Sequence, residues 1–211
     1  MARQVVLVNG LPGSGKTTIA RPLAALLGAP LLSEDVVREA LADVVDHGAH
    51  AALGAAATEA VWRLAAAPMA LAVVESWWFR PRDLDGVLRG LAVAGADAVV
   101  EVWCDLPPDV ARDRYEAVPD RHPVHAGGRD PAAEWARWSA QGEPLALGPV
   151  VRQSTRGPVD TALLARHVRA ALPGHTGRRG RAGRAGGQHA AGTSDPHGSG
   201  PAVPRASYPS C

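Results

Sequence analysis

The chain has 211 residues, a formal net charge of +1 and 46% apolar residues, enough for one domain with a packed core and an appended tail. That near-neutral charge leaves no electrostatic footprint for nucleic acid or a membrane surface, and the two cysteines, Cys104 and Cys211, form neither a disulfide framework nor a zinc spacing. No apolar run reaches membrane-spanning length, and the opening MARQVVLVNG is interrupted too soon for a signal peptide, so a reducing cytoplasm is the expected location.

Residues 5–9 (VVLVN) are short, apolar and β-branched, and they predict a strand that runs straight into a glycine-rich loop. Residues 17–27 predict a helix with apolar positions 19, 23, 26 and 27. Pro22 falls near its first turns, where a missing N–H costs least, and Gly28 suits its end. A short strand is expected at 30–32, with Ser33, Glu34 and Asp35 at its carboxyl end, then helices at 36–46 and 51–66. Residues 69–74 read as a third strand that ends at Glu75 and Ser76. Residues 83–94 follow as a helix with Leu84, Val87, Leu88 and Leu91 on one face. A fourth strand is expected at 98–104, a helix entered through Pro-Pro at 108–117, a mobile loop at 118–131 and a short helix at 132–140. A weaker fifth strand at 148–152 and a last helix at 160–172 complete the pattern.

Strands alternating with helices predict an α/β chain in which a five-stranded parallel sheet is covered on both faces. Ligands in such folds bind beyond the carboxyl ends of the strands. Gly10 to Thr17, Glu34, Asp35, Glu75 to Arg80, and Asp105 collect there. The domain is expected to span residues 1–172. Residues 173–211 are rich in Gly, Arg and Pro, cannot bury enough surface to order themselves, and read as a disordered tail. That tail carries five arginines and one aspartate, which leaves residues 1–172 net acidic.

The loop after the first strand, GLPGSGKTT, contains Lys16, the single lysine of the chain. It matches G-x-x-x-x-G-K-[ST] in full, between a strand and a helix. The match predicts a three-layer P-loop NTPase fold. Glycines let successive backbone N–H groups turn inward to phosphate oxygens, and the helix start adds its partial positive charge. Gly10, Pro12, Gly13, Ser14, Gly15, Lys16, Thr17 and Thr18 are therefore the candidate ATP-binding residues. Lys16 reaches the β- and γ-phosphates, and the Thr17 hydroxyl completes a Mg2+ site. A compact ammonium fits inside the ring of amides, where a planar guanidinium fits poorly. The guanine-reading signature of G proteins needs a second lysine, and there is none. The hydrophobic strand ending in Asp-Glu that large ATPases use is absent. A compact phosphotransferase remains.

A kinase needs a carboxylate that orients the acceptor hydroxyl and takes its proton. Asp35 stands at the end of the second strand, expected next to the loop strand, and forms D-x-x-R with Arg38 across one helical turn. Arg38 could then hold an anionic part of the acceptor. Asp35 as a simple helix N-cap is the competing reading, and Glu34 is the competing carboxylate.

GLPGSGKTT, SEDVVR, VVESWWFR and RHPVH, in this order, resemble the small P-loop kinases grouped as AAA-type predicted kinases. That group is similar to chloramphenicol phosphotransferase, zeta toxin and the kinase domain of polynucleotide kinase. The likeness covers about residues 3–172. It implies that Asp35 is the base and that the helix before RHPVH carries lid arginines, with Arg114 first, Arg121 second and Arg112 as a further candidate. It also implies that the segment after the third strand lines the acceptor pocket, with Glu75, Trp77, Trp78 and Arg80 as its residues, and that residues 155–158 lie near the adenine. Glu75 would bind an acceptor hydroxyl or a Mg2+-bound water. His122 and His125 suit loop structure better than zinc. The expectation is an ATP- and Mg2+-dependent kinase acting on a hydroxyl of a small molecule. A polynucleotide 5′-hydroxyl kinase, a nucleotide-sugar kinase and an ATP-binding regulator are its rivals.

Overall fold

Strand β1 (Gln4–Asn9) takes the centre of the sheet because neither of its faces needs water. Val5, Val6, Leu7 and Val8 are all fully buried. In the computed structural model, which describes residues 3–45, 50–119, 121–125 and 131–173, it pairs in parallel with β3 (Leu71–Glu75) on one side and β4 (Ala98–Asp105) on the other. The edges are β2 (Leu31–Ser33), joined to β3, and β5 (Val150–Ser154), joined to β4, so the order is β2-β3-β1-β4-β5. The tail expected beyond Pro173 and part of the loop expected over 118–131 lie outside the described residues.

The helices are α1 (Lys16–Leu27), α2 (Glu34–Val44), α3 (His50–Ala65), α4 (Arg80–Ala94), α5 (Pro108–Glu116), α6 (Pro131–Gln141) and α7 (Thr161–Ala171). Alternate residues of β1 feed two cores. Val6 and Val8 meet Leu23 of α1 and Leu164 and Val168 of α7. Val5 and Leu7 meet Val61 and Trp62 of α3 and Val87 and Leu91 of α4. This is the three-layer P-loop arrangement. A third, smaller cluster of Leu11, Leu106, Ala111 and Trp135 packs α5 and α6 over the loop after β1.

The order of strands corrects one expectation. β2 is not the neighbour of the loop strand; β3 lies between them. Burial explains the exchange: Ala72, Val73 and Val74 are fully buried, whereas Leu31 and Leu32 are only half-buried and suit an edge. Glu75 therefore ends the strand beside the phosphate loop, and Asp35 sits one strand further out. Helix α4 also begins earlier than its apolar period indicates, at Arg80, because Pro81 is well tolerated in a first turn.

Helix α4 meets α3 at Gly90, where a Cβ would lie 2.2 Å from the ring of Trp62. Trp62 is itself 4% exposed and stacked on Trp78 with centroids 6.3 Å apart, so it has nowhere to move. Gly90→Ala is expected to destabilise the fold. Overpacking costs about 1–3 kcal/mol and outweighs the gain of up to about 1 kcal/mol in helix propensity. Urea unfolding followed by tryptophan fluorescence measures the balance, and a stabilised variant would contradict the contact.

Candidate functional site

Gly13 and Gly15 adopt φ of 77° and 83°, the left-handed region that bends the loop after β1 back on itself. At Gly13 a second constraint acts: a Cβ would lie 2.1 Å from the Ala111 carbonyl and 2.9 Å from the Tyr115 amide. The backbone of α5 thus rests directly on the loop tip. Gly15 is the N-cap of α1 and offers no side chain, and the first turn holds no acid. The first amides of α1 are left for an outside acceptor.

Lys16 is 7% exposed, and its Nζ donates to the Leu11 carbonyl at 3.1 Å. Burial lowers its pKa, partly opposed by the negative fields of Glu75 and Asp35. Beneath the loop, Cys104 is 1% exposed, and burial pushes its thiol up to about 12. Thr17 Oγ1 donates to Glu75 Oε1 at 3.0 Å, and Ser33 Oγ donates to Glu75 Oε2 at 2.6 Å. One carboxylate, 1% exposed, thereby joins the loop to β2 and β3.

The two acids that open α2 face different surroundings. Glu34 accepts from Thr58 Oγ1 at 2.8 Å and from Ser76 Oγ at 2.7 Å, and burial raises its pKa. Asp35 is exposed to the cleft and makes no hydrogen bond or ion pair among the described residues. The N-cap position belongs to Ser33, so Asp35 is inside the helix and not its cap.

The cleft encloses about 1490 Å³ and is lined by Pro12, Gly13, Gly15, Lys16, Thr17 and Thr18 on the loop side. Asp35, Arg38, Glu75, Trp77, Arg114 and Arg121 line it as well. Arg38 donates to the Val124 carbonyl at 3.1 Å. Arg114 spans to the carbonyls of Thr155 and Arg156 at 2.9 and 3.0 Å, and Arg121 lies over the Tyr115 ring at 3.3 Å while bonding its carbonyl. Thr155 is 6% exposed beside Gly15.

Other candidates are placed elsewhere. Trp78 is a correction: its amide donates to Asn9 Oδ1 at 3.0 Å, which turns the indole into the core against Trp62, 5% exposed. Arg80 is another, because the early start of α4 swings it to Glu143 at 3.0 Å over a shallow depression outside the cleft. Arg112 pairs with Glu116 at 2.7 Å on the exposed face of α5. His122 Nε2 meets Asp43 at 3.2 Å and His125 Nε2 meets Glu39 at 2.8 Å, which fastens the 3-10 turn Pro123–His125 to α2. No cluster of metal-ligating side chains of three or more occurs among the described residues.

Among the contributors that sequence reading missed, three stand out. Arg82 lines the cleft two residues beyond Arg80, held by Asp83 through Nε and Nη2 at 2.7 Å each. Trp138, three residues after the buried Trp135 on α6, also lines the cleft. The third is Glu101, fully buried in β4, which accepts from Asn9 Nδ2 at 3.0 Å and from the amides of Leu145 and Ala146 at 3.0 and 2.9 Å. An acid in the middle of an apolar strand was its only signal.

Sheet order, glycine loop and buried lysine together define a P-loop kinase fold with a nucleotide-phosphate site. Residues 5–144 match the model of a family described as an AAA domain (AAA_33), and the chain belongs to that family. A solved "putative kinase" from Chloroflexus aurantiacus is 27% identical with a TM-score of 0.68, over 82% of this chain and 100% of that one. The shikimate kinase of Bacteroides thetaiotaomicron, 14% identical, shares the fold with a TM-score of 0.52 over 79% of this chain and 96% of its own. An uncharacterized protein of Mycobacterium tuberculosis is 33% identical over 127 residues, covering 54% of this chain and 25% of that protein. The match thus spans about a quarter of the length of such curated relatives. Among the described residues, no helix is long and apolar enough to cross a membrane.

Two predictions follow from burial. In a Cys211→Ser background, Cys104 is expected to stay unlabelled by a disulfide reagent at about pH 8, where a free thiol reacts, and to react fully once the chain is unfolded. Rapid native labelling would contradict the buried floor. Glu34, with its folded pKa raised, contributes stability that is complete below the unfolded carboxylate pKa and lost as pH rises through the folded value. Glu34→Gln is therefore expected to melt at or above the wild type near neutral pH. That advantage should shrink as pH falls toward about 4.

Proposed function

We propose that the protein is an ATP-dependent, Mg2+-dependent kinase that phosphorylates a hydroxyl of a small molecule, with Asp35 as general base. The observation that carries this reading is the contrast among three carboxylates at the carboxyl edge of the sheet. Glu75 and Glu34 have both oxygens engaged by hydroxyl groups, while Asp35, on the same rim, has neither engaged among the described residues. A base must be unoccupied until its substrate arrives.

The loop side fits a nucleotide. Gly13 and Gly15 hold the left-handed φ that curls the loop, and Lys16 is a buried cation whose lowered pKa an anion would reverse. Thr17 Oγ1, with Glu75 behind it, would hold the metal, which supplies charge neutralisation on the transferring phosphoryl group. Lys16 draws charge toward the donor phosphates. Arg114 and Arg121 reach over the same cleft from α5 and the segment after it, where added positive charge stabilises the transfer. Asp35 orients the acceptor hydroxyl and accepts its proton. Thr155, which lies beside Gly15, and the residues after it are assigned to the adenine.

Lys16→Ala is expected to abolish ATP binding measured calorimetrically. Lys16→Arg is expected to fare little better, because a planar fork does not fit the ring of amides. Asp35→Asn is expected to bind ATP as the wild type does and to lose about 10²–10⁴-fold in transfer. A screen of hydroxyl compounds for ADP release, with Asp35→Asn as the blank, tests both. Wild-type turnover by Asp35→Asn on an acceptor so found would remove Asp35 from the role of base.

A further inference from the structure

Two elements far apart in sequence touch the phosphate loop. Helix α5 rests on its tip, where a Cβ on Gly13 would lie 2.1 Å from the Ala111 carbonyl and 2.9 Å from the Tyr115 amide. Thr155, just after β5, is the second, and a Cβ on Gly15 would lie 3.9 Å from its own Cβ. Arg114 joins these two elements to each other. Its Nη1 donates to the Thr155 carbonyl at 2.9 Å and its Nη2 to the Arg156 carbonyl at 3.0 Å. It stands beside Tyr115 and one turn from Ala111, so a shift of residues 155 and 156 is passed to the backbone that presses on Gly13. The other arginines expected in the lid stay within their own stretch of chain: Arg112 pairs with Glu116, and Arg121 stacks on Tyr115 and bonds its carbonyl.

The two carbonyls set more than their own direction. A trans peptide plane carries its carbonyl and its N–H on opposite sides. Turning the carbonyls of Thr155 and Arg156 to Arg114 therefore turns the amides of Arg156 and Gly157 away from it. Neither amide has a hydrogen-bond partner among the described residues, and the space about Gly157 is open, with nothing within 4 Å of a Cβ placed there. Two backbone donors with a fixed direction suit a base whose edge offers ring-nitrogen acceptors, as adenine does. Guanine places an N–H donor at the corresponding ring nitrogen, and a donor facing a donor leaves both unpaired.

We propose that Arg114 is a positioning residue that determines which nucleotide the site takes. It holds residues 155 and 156 in the backbone setting that accepts adenine and locks that setting to the phosphate loop through α5. This rests on the kinase reading above and deepens it, because the charge that Arg114 adds over the cleft is then held in place by the segment that reads the base. A planar fork with two parallel donors reaches two successive carbonyls at once, whereas an ammonium meets them from a single point.

The test titrates ATP and GTP, each with Mg2+, into the full chain, into Arg114→Lys and into Arg114→Gln, followed by calorimetry. The wild type is expected to favour ATP. Arg114→Lys keeps the charge and loses the fork, and its preference for ATP over GTP is expected to fall about tenfold, the worth of about one hydrogen bond to a charged group. Arg114→Gln is expected to lose as much. A wild type that does not favour ATP, both nucleotides weakened alike with the preference kept, or full rescue by lysine would overturn the proposal. A measurement on the wild type alone covers variants that do not fold: ATP is expected to slow amide hydrogen exchange in residues 108–116 and 154–158 together, and slowing in only one of them would also overturn it. If the wild type binds neither nucleotide, the kinase reading itself falls, and the two failures are thereby told apart.

Discussion

A single buried carboxylate holds the site together. Glu75 is 1% exposed at the end of a strand, where an unpaired charge would be strongly disfavoured. It is tolerable because Thr17 and Ser33 each give it a hydroxyl proton, and those two residues come from the phosphate loop and from β2. The requirement to satisfy Glu75 therefore fixes three chain segments relative to each other. Thr17 must point toward β3, Ser33 must end β2 one strand out, and Asp35 must then open α2 at the rim. Loss of the carboxylate would free all three at once.

A second buried acid performs the same work on the opposite side of the loop. Glu101 binds Asn9, and Asn9 in turn binds the amides of Gly10 and Trp78 at 2.8 and 3.0 Å. The entry to the phosphate loop and the exit from β3 are tied through one amide side chain. That tie decides which indole of the Trp77-Trp78 pair faces the cleft. Because Trp78 is anchored by its backbone and stacked on Trp62, Trp77 takes the wall. The partition between core and cleft was thus set by a hydrogen bond to Asn9, not by hydrophobicity, which the two tryptophans share.

The elements and the phosphate loop were legible in the sequence because both rest on local signals: β-branched runs, helical periods, and a glycine spacing between a strand and a helix. Every expected strand and helix of residues 3–173 is present, with ends displaced by at most three residues. What the sequence did not show depends on pairing across the chain. Strand order was misjudged at β2 since three residues carry too little pattern to tell an edge from an interior neighbour. Arg80 and Trp78 were assigned to the pocket from their place in VVESWWFR, and the helix start and the Asn9 contact redirected them. Arg82 and Trp138 reach the cleft only because α4 and α6 converge on it, and no spacing in one segment announces that convergence. Glu34 and Asp35 are neighbours in sequence and about 100° apart around the helix. Which of them is free could be decided only by finding Thr58 and Ser76 against Glu34.

The burial of Lys16 has a consequence for the chemistry of the whole chain. It is the only lysine among the 211 residues, and it is 7% exposed within the phosphate loop. Apart from the terminal amine, the protein therefore offers no ε-amine to solvent. With the terminal amine blocked, acylating reagents, amine cross-linkers and lysine-modifying enzymes meet one target in this chain, and reaching it requires that the loop be open. Lysine reactivity, which in most proteins averages over many surface sites, is here a direct readout of the phosphate cradle.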